Sequence, residues 1–432
     1  MTPTDSIHRG RGKALGIVEL IAIALGGMVG GGIFTILGVA VSLVGVFTPL
    51  AILLGGLIAA LAAYSYIKLG VYYKDEGATY SFFKNTFPDS PLAASLIGWW
   101  VIFGYISTLA LYAYTFSSYA ISSFSFADND LIRKLVSGVV IATFALINIW
   151  SVKGMGKVED LMVYTKVVIL MIISFVLLSH NQTTLPALVS SGADFNILNI
   201  LVIASITFVA YEGFQLVINA VNEMESPEKN IPRAIYSAIF IAILLYIVIS
   251  IGAILALPFE DIIKNKEYAL ASGASNILGH WGTDLMVTGA LLATSSAISG
   301  TLFGASRQMS VIAADGNFPA FLKKRRNYIP VYAILTMAGL AFCLILLGDL
   351  EVILEFGSIT FLLVSLLMAY TNFKIRHLTR SSTIVTILSM VSLLLGVMLI
   401  IYYEIISQVQ QLIFIGGLYG LLTLGAVFYS RK

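Results

Sequence analysis

Charged side chains are scarce in this sequence. Only 11% of its 432 residues are Asp, Glu, Lys or Arg, whereas a soluble globular chain carries about 25%. Hydrophobic residues make up 58% of the chain, and the mean hydropathy is +0.93. Because so little charge cannot cover a water-exposed surface, the sequence predicts an integral membrane protein. The net charge of +2 is too small to indicate a nucleic-acid partner.

Cysteine and histidine are rare as well. The single cysteine, Cys343, lies in an apolar run and excludes an intrachain disulfide. All four histidines fall outside the apolar runs, so no metal-ligand cluster and no nucleophile–base pair lies at membrane depth. The sequence therefore argues against an enzyme and predicts no cofactor.

Long apolar runs account for most of the chain. About twelve of them are long enough to cross roughly 30 Å of hydrocarbon. They are 15–43, 49–67, 92–124, 135–150, 161–178, 197–221, 234–257, 285–306, 331–347, 352–371, 384–403 and 412–429. The predicted fold class is therefore an all-α membrane protein without a soluble domain between its helices.

Basic residues divide unequally between the two sides of this predicted bundle. Twenty lie on the side of the termini, whereas the other side holds only Arg133, Lys134, Lys264 and Lys266. Cytoplasmic loops are the ones enriched in Lys and Arg. We therefore expect a multi-pass protein of the cell membrane with both termini in the cytoplasm, residues 1–14 forming the N-terminal tail.

Some ionisable residues fall within the apolar runs or near their ends. Lys166 lies ten residues after Gly156, about 15 Å along a helix and too deep for its side chain to reach the interface. An ionisable residue at that depth indicates a functional site, so Lys166 is predicted to face the bundle interior and to exchange a proton. Glu355 and Glu404 lie near the outer ends of their runs and are predicted to be interfacial.

Glycines interrupt the first apolar run within residues 26–32. Each glycine weakens a helix by about 1 kcal/mol relative to alanine, and a loosened membrane helix exposes backbone groups that need other partners. The sixth run carries a second interruption at 210–213, where Glu212 precedes a glycine. Glu212 either caps this broken backbone or acts in the site.

The two interruptions take equivalent positions if residues 15–180 and 181–376 are two repeats of five helices, followed by two further helices in 377–432. An odd number of helices inverts the second repeat relative to the first. Paired interruptions of this kind point to a transporter's binding site. Free N–H groups at a helix N-terminus suit a carboxylate, and free carbonyls suit an ammonium group, so a zwitterionic amino acid fits both.

Five motifs, in order along the chain, resemble those of the amino acid–polyamine–organocation (APC) superfamily of transporters. They lie at 27–34, at 64–70 with 77–80, at 208–214, at 222–235, and at 304–307 with 315–319. The resemblance implies a LeuT-like fold, in which two inverted five-helix repeats contain discontinuous helices 1 and 6. It further implies secondary active transport of amino acids by alternating access.

The resemblance also implies a substrate site at the two interruptions. Backbone groups of 29–33 would hold the substrate carboxylate, carbonyls of 26–28 and 208–211 its ammonium group, and 260–278 would form an outer lid. The expected substrate-binding residues are Met28, Val29, Gly30, Gly31, Gly32, Ile33, Phe208, Ala210, Tyr211 and Glu212. Phe208 and Tyr211 either line this pocket or only pack against their neighbours.

Within the superfamily, the chain resembles an archaeal proton-coupled, broad-specificity amino-acid transporter. There a lysine of helix 5 stands where sodium-coupled members hold sodium. The resemblance implies that Lys166 binds the Gly26 carbonyl and a hydroxyl of Ser295 or Ser296, and that transport depends on protons rather than sodium. A protonated Glu212 could carry the proton instead, whereas an ionised Glu212 would disfavour acidic substrates. Exchange, or a receptor that has lost transport, are the alternatives.

Overall fold

The computed structural model describes residues 15–150, 152–180, 195–326 and 329–430, without the side chains of 152–160, 273 and 275–278. These residues form helices and connecting turns, and their only β-type pairings are two isolated bridges. The predicted N-terminal tail, residues 1–14, lies outside the described residues. The architecture is the predicted one, an all-α membrane protein.

Seven helices precede residue 180 among the residues that the structure describes. They are α1 (Ile17–Met28), α2 (Gly32–Val44), α3 (Thr48–Tyr73), α4 (Ala78–Thr86), α5 (Pro91–Ile121), α6 (Asp130–Trp150) and α7 (Val152–Ser179). The first predicted run is thus two helices, because the chain leaves helical geometry between Met28 and Gly32.

Ten helices follow residue 195 in the part of the chain that the structure describes. They are α8 (Ile197–Thr207), α9 (Leu216–Asn219), α10 (Pro227–Ala256), α11 (Phe259–Lys264), α12 (Ala269–Ala314), α13 (Val331–Leu347), α14 (Leu350–Lys374), α15 (Arg376–Thr379), α16 (Thr383–Ser407) and α17 (Val409–Ser430). The sixth predicted run is also divided, into α8 and α9.

Ten helical stretches of the described residues are long and apolar enough to cross a membrane, and α1 and α13 are shorter apolar helices. The expectation of about twelve spans and of a LeuT-like repeat stays a prediction. The longest helix, α12, bends at Gly279, whose φ is +65°.

One end of the bundle, here called the basic end, contains the loops that the sequence analysis assigns to the side rich in Lys and Arg. Ion pairs connect these loops. Lys74 pairs with Glu228 at 2.5 Å, and Lys84 pairs with Asp315 at 2.8 Å. Nearby, the Leu15 N–H donates to the Glu223 carbonyl at 2.8 Å, which ties the start of α1 to the loop before α10.

The opposite end, here called the lid end, is covered by α11 and the turn Lys266–Tyr268. A Cβ on Gly38 would lie 2.5 Å from the Lys266 carbonyl oxygen, so the turn rests directly on α2. Lys266 also forms an ion pair with Glu351 at the start of α14. Burial, with a hydrogen bond to Asp128, raises the pKa of Tyr268 to about 12, so its hydroxyl stays neutral.

The prediction that Glu355 and Glu404 are interfacial is wrong. Their side chains are 3% and 0% exposed, because α14 and α16 pack face to face at the lid end and enclose both carboxyl groups.

Close packing of α3 on α8 yields a stability prediction. A Cβ on Gly55 would lie 2.7 Å from the Ala204 carbonyl oxygen, so Gly55→Ala is expected to cost about 1–3 kcal/mol through overpacking. Gly339→Ala is the control, since no atom lies within 4 Å of its Cβ position. Thermal unfolding in detergent should show a lower melting temperature for Gly55→Ala alone. Equal melting temperatures for both variants would contradict this packing.

Candidate functional site

The first break lies between α1 and α2. α1 ends at Met28, Val29 leaves helical geometry with ψ 70°, and α2 begins at Gly32. The Gly30 N–H turns back to the Met28 carbonyl at 2.9 Å. Because α2 begins in the interior, its first N–H groups lack intrahelical acceptors and point toward the break.

The second break lies after α8, where the sequence predicts it. A 3₁₀ turn, Phe208–Tyr211, is followed by extended Glu212 and by Gly213 with φ +119°. Only glycine adopts that φ readily. α9 then begins at Leu216.

The two breaks touch backbone to backbone. A Cβ on Gly213 would lie 2.5 Å from the Gly27 carbonyl carbon, and one on Gly27 would lie 2.9 Å from the Gly213 Cα. On the other side of the first break, a Cβ on Gly32 would lie 2.8 Å from the Ala210 Cβ. Glycines at these positions therefore let the interrupted segments meet.

Side chains from three other helices satisfy the carbonyls that the breaks free. Lys166 Nζ donates to the Gly26 carbonyl at 3.1 Å, and the Tyr112 hydroxyl donates to the Gly27 carbonyl at 3.0 Å. The Tyr246 hydroxyl lies 2.8 Å from the Met28 carbonyl and 3.1 Å from the Ala210 carbonyl. Tyr246 thus bridges the two breaks. An uncovered carbonyl would otherwise carry a desolvation cost in this apolar interior.

Lys166 is completely buried and linked to two helices besides its own. Its ammonium group donates to the Ser296 hydroxyl of α12 at 2.7 Å as well as to Gly26 of α1. Ser296, rather than half-buried Ser295, supplies the hydroxyl. Both contacts that the resemblance implies are therefore present, while the coupling role of these residues stays a prediction.

Glu212 lines a small cavity at the contact of the breaks. Its Oε2 accepts from Gln215 Nε2 at 2.5 Å, whereas its buried Oε1 has no hydrogen-bond partner. The cavity measures about 10 Å³, room for about one water molecule. Its walls are Gly27, Tyr105, Thr108, Tyr112, Glu212, Gly213, Leu216, Thr301 and Phe361.

Gln215 ties Glu212 to α5. Its Nε2 also donates to the Tyr105 hydroxyl at 3.1 Å, and its Oε1 accepts from the Gly213 N–H at 3.1 Å. Gln215 therefore fixes both the carboxyl group and the second break. Among the side chains that line this cavity, none is cationic.

The ten expected substrate-binding residues all lie in the buried region of the breaks, but one of them points elsewhere. The Tyr211 hydroxyl donates to the Ile52 carbonyl of α3 at 2.9 Å, and its ring packs 5.2 Å from that of Tyr246. The alternative that Tyr211 only packs is thus the one the geometry favours.

Sequence reasoning missed the tyrosines that serve the breaks. Tyr105 and Tyr112 are seven residues apart, so they share one face of α5. That spacing indicates two hydroxyl groups directed to the same side of α5. Tyr246 stands in a long apolar run, where a tyrosine gives no sign of what its hydroxyl meets.

Comparison with known proteins agrees with this architecture. Residues 15–423 match the amino acid permease family. An uncharacterized protein of Methanocaldococcus jannaschii is 28% identical over 402 residues, covering 92% of this chain and 91% of that protein. The inner membrane transport protein YbaT of Escherichia coli is 30% identical over 408 residues, covering 90% of each. The branched-chain amino acid permease BcaP of Bacillus subtilis is 25% identical over 399 residues, covering 85% and 83%.

The broken helices and buried polar contacts thus belong to a membrane transport protein rather than an enzyme. The chain belongs to the amino acid permease family, within the APC superfamily, and amino acids are its substrate class.

The contact between the breaks can be tested at Gly213. Gly213→Ala should lower the melting temperature and abolish substrate binding, because the new methyl group meets the Gly27 backbone at a φ that alanine avoids. Gly316→Ala is the matched control: Gly316 also has a positive φ, +89°, but open space at its Cβ. If the two variants bind substrate equally, close approach of the breaks is not required.

The bridge made by Tyr246 can be tested separately. Tyr246→Phe removes a donor from two buried carbonyls and should destabilise the protein by about 1–3 kcal/mol. Tyr236→Phe, at a residue 40% exposed on the same helix, should leave the melting temperature unchanged. Thermal unfolding in detergent provides the measurement. An unchanged melting temperature in Tyr246→Phe would show that the Tyr246 hydroxyl does not stabilise the two breaks.

Proposed function

We propose that this protein is a proton-coupled, sodium-independent amino-acid transporter that works by alternating access. The observation that carries the proposal is Lys166, an ammonium group at full burial held by the Gly26 carbonyl and the Ser296 hydroxyl. A cation fixed to the protein at the first break fulfils the role of a bound sodium ion, so no sodium gradient is needed.

The substrate carboxylate is proposed to bind the N-terminus of α2. The N–H groups of Gly31, Gly32 and Ile33 stand at the positive end of that helix, and all three residues are buried. The substrate ammonium group is proposed to bind carbonyls of the two breaks. The carbonyls of Gly26, Gly27 and Ala210 each accept from one side chain, and a carbonyl oxygen has a second lone pair.

Loss and return of a proton at Lys166 is proposed to link transport to the proton gradient. The charged form joins α1, α7 and α12 through two hydrogen bonds. The neutral form binds its acceptors less strongly, because charge-assisted hydrogen bonds are about twice as strong as neutral ones. Deprotonation therefore frees α1 to move relative to α12, which changes the side on which the breaks open.

The protein is proposed to lie in the cell membrane with both termini in the cytoplasm. The support is the charge asymmetry of the sequence, twenty basic residues against four. The contacts of Lys74 with Glu228 and of Lys84 with Asp315 join loops of the basic end, which would then face the cytoplasm.

Transport by purified protein in liposomes tests the coupling. Uptake of labelled amino acid under an inward proton gradient should be unchanged when choline replaces sodium. Lys166→Met should lower it about tenfold or more, since a hydrogen bond to a charged group is worth about 1.5–3 kcal/mol. Lys324→Met, at an exposed lysine of the basic end, is the control.

A sodium requirement, or full proton-driven uptake by Lys166→Met, would overturn the proposed coupling. Exchange of internal for external amino acid without net uptake would identify an exchanger. Binding without flux under any gradient would identify a receptor.

A further inference from the structure

A second pair of carboxyl groups lies at the lid end, away from the breaks. Glu355 of α14 and Glu404 of α16 are 3% and 0% exposed, and their carboxyl groups are close enough to interact. Glu351, Gln408 and Lys266 form connected contacts at this end, here called the lid network. Glu355 follows Glu351 by four positions and Glu404 precedes Gln408 by four, so each lies one helical turn deeper than a residue of this network. The pair therefore stands between the lid network and the bundle interior.

This pair lacks hydrogen-bond donors when both groups are carboxylates. Glu404 Oε1, Glu404 Oε2 and Glu355 Oε2 are buried without a donor. A carboxylate only accepts hydrogen bonds, whereas a protonated carboxyl group donates one. The ligand that this arrangement is missing is therefore a proton held between the two groups.

The surrounding charges add to this requirement. Glu351 and Asp349 raise the negative charge around the pair, and the phenol of Tyr403 lies nearby. Lys266, a cation of the lid end, is paired with Glu351.

The helices packed against α14 and α16 supply no compensating cation to the pair. α8 has no ionisable side chain, α3 has none before Tyr64, and α17 and α5 contribute only tyrosines. α4 carries Lys84, which pairs with Asp315 at the basic end. Two buried carboxyl groups in contact cannot both ionise without such a cation.

We propose that Glu355 and Glu404 bind one shared proton, and that this proton clamps α16 onto α14 and keeps the lid end closed. The site is separate from Lys166 and the breaks, so the inference goes beyond the proposed coupling. When the proton leaves, two carboxylates repel each other across the α14–α16 contact.

That contact is connected to the lid through Glu351. Its Oε2 accepts from Nε2 of Gln408, the residue that follows α16, at 2.9 Å, while its Oε1 pairs with Lys266 of the lid turn. The same turn rests on α2 at Gly38. Separation of α16 from α14 pulls Gln408 from Glu351 and loosens the turn that covers α2.

The sign of the pH effect follows from the shared proton. The folded pair keeps a proton that the unfolded carboxyl groups lose, so folding stability falls as pH rises toward the titration of the pair. The melting temperature in detergent, without substrate, should fall by about 2 °C per pH unit over that range. The double variant Glu355→Gln/Glu404→Gln should remove this fall, because two amides donate to each other at any pH.

The matched control is Glu260→Gln, at an exposed carboxylate of α11, which should keep the pH dependence. Amide hydrogen exchange of residues 259–268 should be faster in the unsubstituted protein than in the double variant at alkaline pH, and equal at acidic pH. Comparison at one pH removes the intrinsic pH dependence of exchange.

Two results would overturn the proposal. One is an unchanged pH dependence of stability in a folded double variant. The other is stabilisation of the unsubstituted protein by sodium over choline at alkaline pH that the double variant lacks, which would make the pair a metal-cation site. Neither measurement involves transport, so failure here is distinguishable from failure of the proton-coupled uptake proposed above.

Discussion

The backbone contact of Gly27 with Gly213 is the constraint on which the rest of the site depends. Two interrupted helices can meet this closely only where neither residue has a side chain. Interruption frees carbonyls inside an apolar bundle, where water is not available to satisfy them. Their partners are therefore long polar side chains from α5, α7 and α10, and a lysine becomes tolerable at full burial because a freed carbonyl receives it.

Buried hydrogen-bond acceptors need donors at two places in the bundle, and the two places obtain them differently. At the breaks, acceptors are in excess, and the protein supplies donors from Lys166, Tyr112 and Tyr246. Between α14 and α16 acceptors are again in excess, but the described residues supply no donor to Glu404. The first shortage is met by side chains, and the second by the shared proton that we propose.

Local sequence was sufficient to predict the features that depend on chain position. The glycines of 26–32 and the Glu212–Gly213 step marked both breaks, because loss of helix propensity is a local property. The depth of Lys166 followed from counting residues along a helix. Partner identity was not local. Tyr246 gave no signal. The prediction for Glu404 is wrong because the number of residues to a helix end does not tell which neighbouring helix covers a side chain.

Tyr246 has one hydroxyl proton and two carbonyl neighbours, one on each break. A single proton cannot bond fully to both carbonyls. The two breaks therefore share this donor, and they can share it only while they stay together. If the breaks separate during the proposed transport cycle, the hydroxyl can stay with only one of these carbonyls, and the other loses this donor. The position of the Tyr246 hydroxyl therefore depends on the distance between the two breaks, and the hydrogen bonding of each break depends on the position of the other.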